Sequence, residues 1–266
     1  MLRIATRCVR RRRQPRCSAR RIHRTFASSS YTNPVSGASF DVPLDTADVV
    51  ILSRPVTMFQ MNQLLLGCKN SGEAALVDAG GAPAAFIEAG ERHNLQIWHV
   101  LQTHAHIDHI SGLKETKEKL PSARIYLHPL DKPVYDSAEQ QGQMFGVPFE
   151  GPLPPIDQDL ADGDLLRVGE IELTVHHLPG HSPGHVVFVS VEHGFVIGGD
   201  LLFQGSVGRT DLPLCDAEAM SASICKLYEI KGLGDETLVL TGHMGHTTLG
   251  AERHTNPFVQ SWLADK

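Results

Sequence analysis

The seven residues Thr103 to His109, Thr-His-Ala-His-Ile-Asp-His, hold three imidazoles and one carboxylate. One histidine in a core is usually a satisfied polar residue. Three histidines and a carboxylate at this spacing would cost kilocalories per group if buried without partners. A divalent cation would partner all of them at once. His104 and His106 are two residues apart, so in extended geometry they point the same way. Asp108 and His109 come where the chain turns. The spacing predicts two adjacent ion sites, one fed by His104 and His106, the other by Asp108 and His109. The alternative is a polar strand end.

Such a cluster needs a frame. Residues 97–102 before it read as a buried apolar strand, and residues 111–120 after it as a helix. Three further stretches place polar groups just past a strand: Pro179-Gly180-His181-Ser182-Pro183-Gly184-His185, Gly198-Gly199-Asp200 and Thr241-Gly242-His243. Each can project from the same sheet edge into one cleft. His185 opens an apolar strand and reads as structural or as a support behind a ligand, not as a ligand, and His176, His177, His246 and His254 read as ordinary polar residues.

The remaining elements fall into two blocks. Strands are expected at 49–52, 63–66, 74–77 and 125–128, with helices over 83–93 and 131–141. Residues 143–157 are rich in Pro and Gly and form a long loop, either a pocket mouth or a surface crossover. Strands resume at 165–168, 171–177, 185–190, 195–198 and 237–240, with helices over 217–228 and 248–253. Two strand-rich blocks with helices and no linker predict sheet packed on sheet, helices outside.

Charge divides the chain differently. Residues 1–30 contain ten arginines and no acid, which leaves 14 basic against 30 acidic residues in the remainder. An Arg-rich, Ser-containing, acid-free start is the composition of an organelle transit peptide, and Arg24-Thr25-Phe26-Ala27 resembles a mitochondrial processing site. The expectation is a mitochondrial transit peptide over 1–30, removed in the matrix, an irregular segment over 31–46, and a single domain over 47–266. The alternative for the leader is a basic nucleic-acid-binding arm. The acidic remainder is a poor match for a phosphate backbone, so no nucleic-acid partner is expected. No apolar run approaches the roughly 20 residues of a membrane span, so no membrane partner is expected either. Cys68, Cys215 and Cys225 have no CxxC spacing and read as packing residues.

The motifs THxHxDH, PGHxPGH, GGD and the final Gly242-His243, in this order, resemble the metallo-β-lactamase superfamily and within it the glyoxalase II-like hydrolases. The resemblance covers about residues 49–258. Met144-Phe145-Gly146, Leu160-Ala161-Asp162-Gly163-Asp164 and Gly205-Ser206-Val207-Gly208-Arg209-Thr210-Asp211 are similar to the short bacterial-type hydroxyacylglutathione hydrolases. So is Thr248-Leu249-Gly250-Ala251-Glu252-Arg253 before Asn256-Pro257-Phe258. The resemblance implies an α/β fold, a four-layer αββα sandwich with two mixed sheets face to face and helices outside. It implies that His104, His106 and His181 hold one ion, that Asp108, His109 and His243 hold the other, and that Asp200 bridges them. Such ligands suit Zn, Fe or Mn; two divalent ions per chain are expected, zinc first. The implied reaction converts S-D-lactoylglutathione to D-lactate and glutathione through a hydroxide bridging the ions and oriented by Asp108. The alternatives are a mononuclear-iron persulfide dioxygenase and another metallo-hydrolase such as a lactonase. Longer glyoxalase II enzymes hold glutathione with a basic C-terminal extension and a Tyr soon after the last ligand. Here Met244 follows His243, and Arg209 is the expected substrate contact. The other reading of Arg209 is a salt bridge to Asp211.

Overall fold

A computed structural model describes residues 29–32 and 37–264. The first half of the chain builds one sheet whose strands follow in sequence order. They are β1 (Ser29–Thr32), β2 (Ser39–Asp45), β3 (Val49–Val56), β4 (Met61–Cys68), β5 (Glu73–Val77), β6 (Gln96–Leu101), β7 (Arg124–Leu127) and β8 (Gln158–Asp159). The connections carry α1 (Pro83–Arg92), α2 (Ile107–Ile110), α3 (Leu113–Lys119), α4 (Lys132–Asp136) and α5 (Ala138–Phe145). The second half supplies β9 (Leu165–Val168), β10 (Ile171–His177), β11 (Val186–Ser190) and β12 (Phe195–Gly199). A small pair follows, β13 (Leu202–Phe203) with β14 (Ser206–Val207), then α6 (Ala217–Glu229), β15 (Leu238–Thr241), β16 (Thr247–Thr248), α7 (Leu249–Thr255) and α8 (Pro257–Ala264). The second sheet runs β16-β15-β12-β11-β10-β9.

Alternation along the strands creates the layers. In β3, Val49 and Ile51 face the second sheet, while Val50 and Leu52 face the helices of the first half. In β12, Phe195 and Ile197 face the first sheet, while Val196 faces α6 and α7. Strands covered on both faces read as continuous apolar runs, which is why residues 49–52 and 195–197 lack polar positions. The αββα sandwich follows. Truncating an inter-sheet residue such as Leu64 to Ala should cost about 2–5 kcal/mol.

Both sheets are mixed. Strands β5, β6, β7 and β8 run parallel, and so do β12 and β15. Parallel neighbours end at the same edge, where open α/β sheets bind ligands. The residues just past β5, β6, β12 and β15 therefore converge, and these are Asp78, the 103–109 cluster, Asp200 and His243.

Several sequence expectations change. Residues 31–46, expected irregular, contain β2 and the end of β1. Phe40, Val42 and Leu44 alternate inward along β2 and are buried. Composition hid that period, and Pro43 sits where the register against β3 shifts between Asp41 and Leu44. A bulge tolerates the missing N–H. The helix expected over 111–120 starts earlier and is split, so Asp108 and His109 lie on α2. The helix expected over 131–141 breaks at Ser137 and continues to Phe145. Of the leader expected over 1–30, residues 1–28 lie outside the described residues, and Ser29 and Ser30 belong to β1. Among the described residues no helix is long and apolar enough to cross a membrane.

Candidate metal centre

The seven residues singled out as ligands come together at the sheet edge. Ligand atoms of His104, His106 and His181 lie within 4.8 Å of one another, as do those of Asp108, His109 and His243. His104, His109 and Asp200 form a third such group between them. Asp200 reaches both sides: its Oδ2 is 3.3 Å from His181 Nε2 and 3.4 Å from His243 Nε2, and its Oδ1 is 3.4 Å from His109 Nε2.

Hydrogen bonds fix how the imidazoles face. Thr103 Oγ1 gives its one proton to Asp78 Oδ2 at 2.8 Å, so it can only accept from His104 Nδ1, 3.0 Å away. That leaves the lone pair on His104 Nε2, an atom buried without a hydrogen-bond partner. His181 Nδ1 donates to the Arg209 carbonyl at 2.8 Å, and His243 Nδ1 to the Phe59 carbonyl at 3.1 Å. His109 Nδ1 is 3.0 Å from Asp78 Oδ2, an ion-pair distance without hydrogen-bond alignment. Each of these rings is held at Nδ1 and turns Nε2 inward. His106 instead presents Nδ1, which meets His181 Nε2 at 2.8 Å. A cation placed between them would draw on both nitrogens. His109 Nε2 and Asp200 Oδ1 are also buried without hydrogen-bond partners. The residues present fit a pair of divalent ions.

The electrostatics divide the same way. Burial, then the neighbouring rings His109, His106 and His181, push His104 well below the ordinary imidazole value. Burial and His181 bring His106 down to about 3. These imidazoles are neutral donors at physiological pH, the form that binds metal. On the other side burial opposes charge, but hydrogen bonds to Asp108 and Asp200 raise His243 to about 10. Asp200, Asp108 and Asp78 likewise outweigh burial and raise His109. Burial pushes Asp200 and Asp108 up, yet His109 beside them holds both carboxyls below their usual range. The carboxylates thus attract positive charge, which protons or metal ions can supply.

Sequence reasoning missed a supporting set. Asp78 accepts from Thr103 N at 2.7 Å and anchors the start of the cluster. Its position past a strand, in Asp78-Ala79-Gly80-Gly81, carried the same signal as Asp200. Asp131 ties the two histidine loops together, accepting from Ala105 N, Ser182 Oγ and Gly184 N at 2.7, 2.9 and 2.5 Å. Nothing local marks it. Gln102 donates to the His109 carbonyl at 2.9 Å, and Cys215 Sγ lies 2.8 Å from the His181 carbonyl. His185, expected to be structural or to support a ligand without being one, accepts from Asp200 N at 3.0 Å. Such outer contacts orient ligands and tune the metal. Gly242 is required by space, since a Cβ there would lie 2.0 Å from Asp200 Oδ1.

The cluster forms the floor of a cavity of about 560 Å³. Phe59, Phe145, Phe203, Val207, Leu212 and Met244 supply apolar wall, and Arg209 also lines it. The Arg209 side chain is forked onto Asp211, with Nε and Nη2 at 2.6 and 2.7 Å from its oxygens. Of the loop expected over 143–157, Phe145 reaches this cavity, and it does so from the end of α5.

Fold and site together define a sandwich enzyme with its metal-binding cluster at one edge. The family model of the metallo-beta-lactamase superfamily matches residues 56–243, and the chain belongs to that superfamily. Hydroxyacylglutathione hydrolase GloC of Haemophilus influenzae is 34% identical over 207 residues, covering 78% of this chain and 96% of that protein. Among solved structures, TTHA1623 in a di-iron-bound form superposes with a TM-score of 0.69 at 38% identity, over 77% of this chain and 98% of its own. The B3 metallo-beta-lactamase BLEG-1 gives 0.68 at 33% identity, over 79% and 99%.

Proposed function

We propose that this protein is a dinuclear-metal thioester hydrolase acting on acylglutathiones such as S-D-lactoylglutathione. The observation that carries the reading is the paired cluster sharing Asp200, with ring nitrogens and carboxylates of both groups turned inward and an apolar cavity above. The likeness to a hydroxyacylglutathione hydrolase supports the choice of thioester. His104, His106 and His181 would hold one ion, Asp108, His109 and His243 the other, with Asp200 between; zinc is the proposed metal. Bound there, two divalent cations supply an activated water, with pKa lowered toward about 7, and polarise the carbonyl.

The chain's own groups do the rest. Asp108, whose Oδ2 lies 3.1 Å from His243 Nε2, would orient the attacking water while helping to hold its ion. The phenylalanine walls exclude bulk water and hold the thioester over the cluster. Water adds to the carbonyl carbon, the C–S bond breaks, and the products are a carboxylic acid and a thiol. A thiolate leaves readily because its conjugate thiol has a pKa near ~8.5. No separate general acid is needed, and Gln60, Ser206 and Arg209 offer none on the wall. We also propose a mitochondrial matrix location, directed by residues 1–30. A fluorescent fusion should reach mitochondria and lose that address when those residues are removed.

The decisive experiment loads the protein with zinc, iron or manganese and assays S-D-lactoylglutathione hydrolysis beside oxygen uptake with glutathione persulfide. Thioester cleavage with two ions per chain is expected. Oxygen consumption with a single iron would replace the reading with a persulfide dioxygenase.

A further inference from the structure

A second, smaller lobe adjoins the metal cavity. It has a volume of about 180 Å³ and lies between α4–α5 and the segment 212–214. His106, Phe145 and Leu212 line both spaces, so the lobe begins at a residue of the metal cluster. Its walls are Val134, Met144, Phe145, Leu212, Pro213 and Leu214. Gln140, an exposed polar residue, also lines it, while the side chains of Gln141 and Ser137 are engaged with the backbone. Gln141 Oε1 accepts from Ile107 N and its Nε2 donates to the Val134 carbonyl, while Ser137 Oγ donates to that same carbonyl. No charged side chain lines the lobe.

The outer wall is exposed where an apolar residue gains nothing from water. Met144 is 62% exposed and Leu214 59%. Leu214 also has φ +66°, a left-handed backbone that a bulky side chain rarely adopts. Strain of this kind gathers at ligand clamps. An apolar trough that starts at a metal-binding histidine and ends at solvent suits a linear chain attached to the reacting carbonyl.

We propose that this lobe is an acyl-chain subsite, and that the enzyme prefers thioesters of straight aliphatic acids to lactoyl thioesters. The proposal rests on the thioester-hydrolase reading and names the substrate class within it. The acyl carbonyl sits over the metal cluster beside His106. The chain runs along Phe145 and Leu212 and emerges between Met144 and Leu214. The thiol part remains in the larger cavity.

The test keeps glutathione constant and varies the acyl group through lactoyl, acetyl, butyryl and hexanoyl, using metal-loaded protein. From acetyl to hexanoyl, kcat/KM should rise about fourfold per methylene, the factor equivalent to burying one such group. Leu214→Asp and Met144→Asp should each reduce the hexanoyl-to-acetyl ratio at least about tenfold. That ratio is internal to each preparation, so partial loss of folded protein cancels. If lactoylglutathione turns over and the series is flat, the subsite is overturned and the hydrolase reading stands. If no thioester turns over, both fall. If Leu214→Asp leaves the ratio intact and converts a dimer to a monomer in sedimentation, a second copy of the chain covers the lobe and the proposal is overturned.

Discussion

The floor and the mouth of the cavity are built by opposite means. On the floor, His104, His109 and His185 have no exposed surface, and hydrogen bonds or close ion pairs from other elements fix the metal-facing side chains. At the mouth, Met144, Leu214 and Met244 are exposed apolar residues from separate loops or helix ends. Gln60, Leu214 and Met244 there sit on left-handed backbone. The floor inherits its geometry from strand ends in two packed sheets, so it cannot shift without moving the core. The mouth hangs on connections and can vary without disturbing the floor. Reaction chemistry and substrate choice are therefore separable in this molecule, in keeping with rigid scaffolds that carry variable loops.

The comparison breaks most sharply at the bridge. Asp200→Asn should reduce turnover by on the order of 10³-fold or more, because a neutral amide joins two cations poorly. It should also bring metal content below two ions per chain. Full metal content with a near-normal rate would remove Asp200 from the centre. Chelation tests the same floor without mutation. Activity should vanish, and the melting temperature should fall by about 5–15 °C, as expected when a ligand held well above its Kd is withdrawn from a domain of this size. An unchanged melting temperature would show that the floor is rigid without ions.

A smaller effect is expected one step away from the ions. Asp131 touches neither proposed ion site, yet its carboxylate receives donors from both histidine loops. Asp131→Asn turns part of that acceptor into a donor facing donors. Metal affinity, measured against a competing chelator, should fall about 10–100-fold. If affinity holds while only stability drops, Asp131 supports the fold and does not tune the floor.

The two regions were also unequally legible. The ligands announced themselves because His104 to His109 are sequence neighbours and because Asp200 and His243 each follow a strand. The sandwich was legible because two strand-rich blocks with helices follow one another without a linker. Asp131 was not, because the atoms it serves lie 26 to 53 positions away and its own surroundings read as a helix start. β2 was hidden by Pro and Ser, although Phe40, Val42 and Leu44 kept the period of a strand. The lobe beside Phe145 depends on two segments, at 134–145 and 212–214, that meet only in the folded chain.

The smallest expected effect lies at the mouth, on Arg209. Its guanidinium has five N–H donors. Asp211 takes one from Nε and one from Nη2, and among the described residues Nη1 has no hydrogen-bond partner, on a residue that lines the cavity. A substrate carboxylate can be gripped there by two parallel charged hydrogen bonds. If the contact serves binding alone, Arg209→Ala should raise KM for an acylglutathione about tenfold and leave kcat nearly unchanged. The melting temperature should hardly move, because the pair it breaks is exposed on both sides. Asp211→Asn refines the test. It frees the fork but also releases Arg209 to swing into solvent. A KM that rises for this variant too would mean that Asp211 aims the arginine; a KM that falls would mean that it competes for it. A normal KM in Arg209→Ala would assign the pair to the loop alone, and the mouth would then select by apolar shape without a charged anchor.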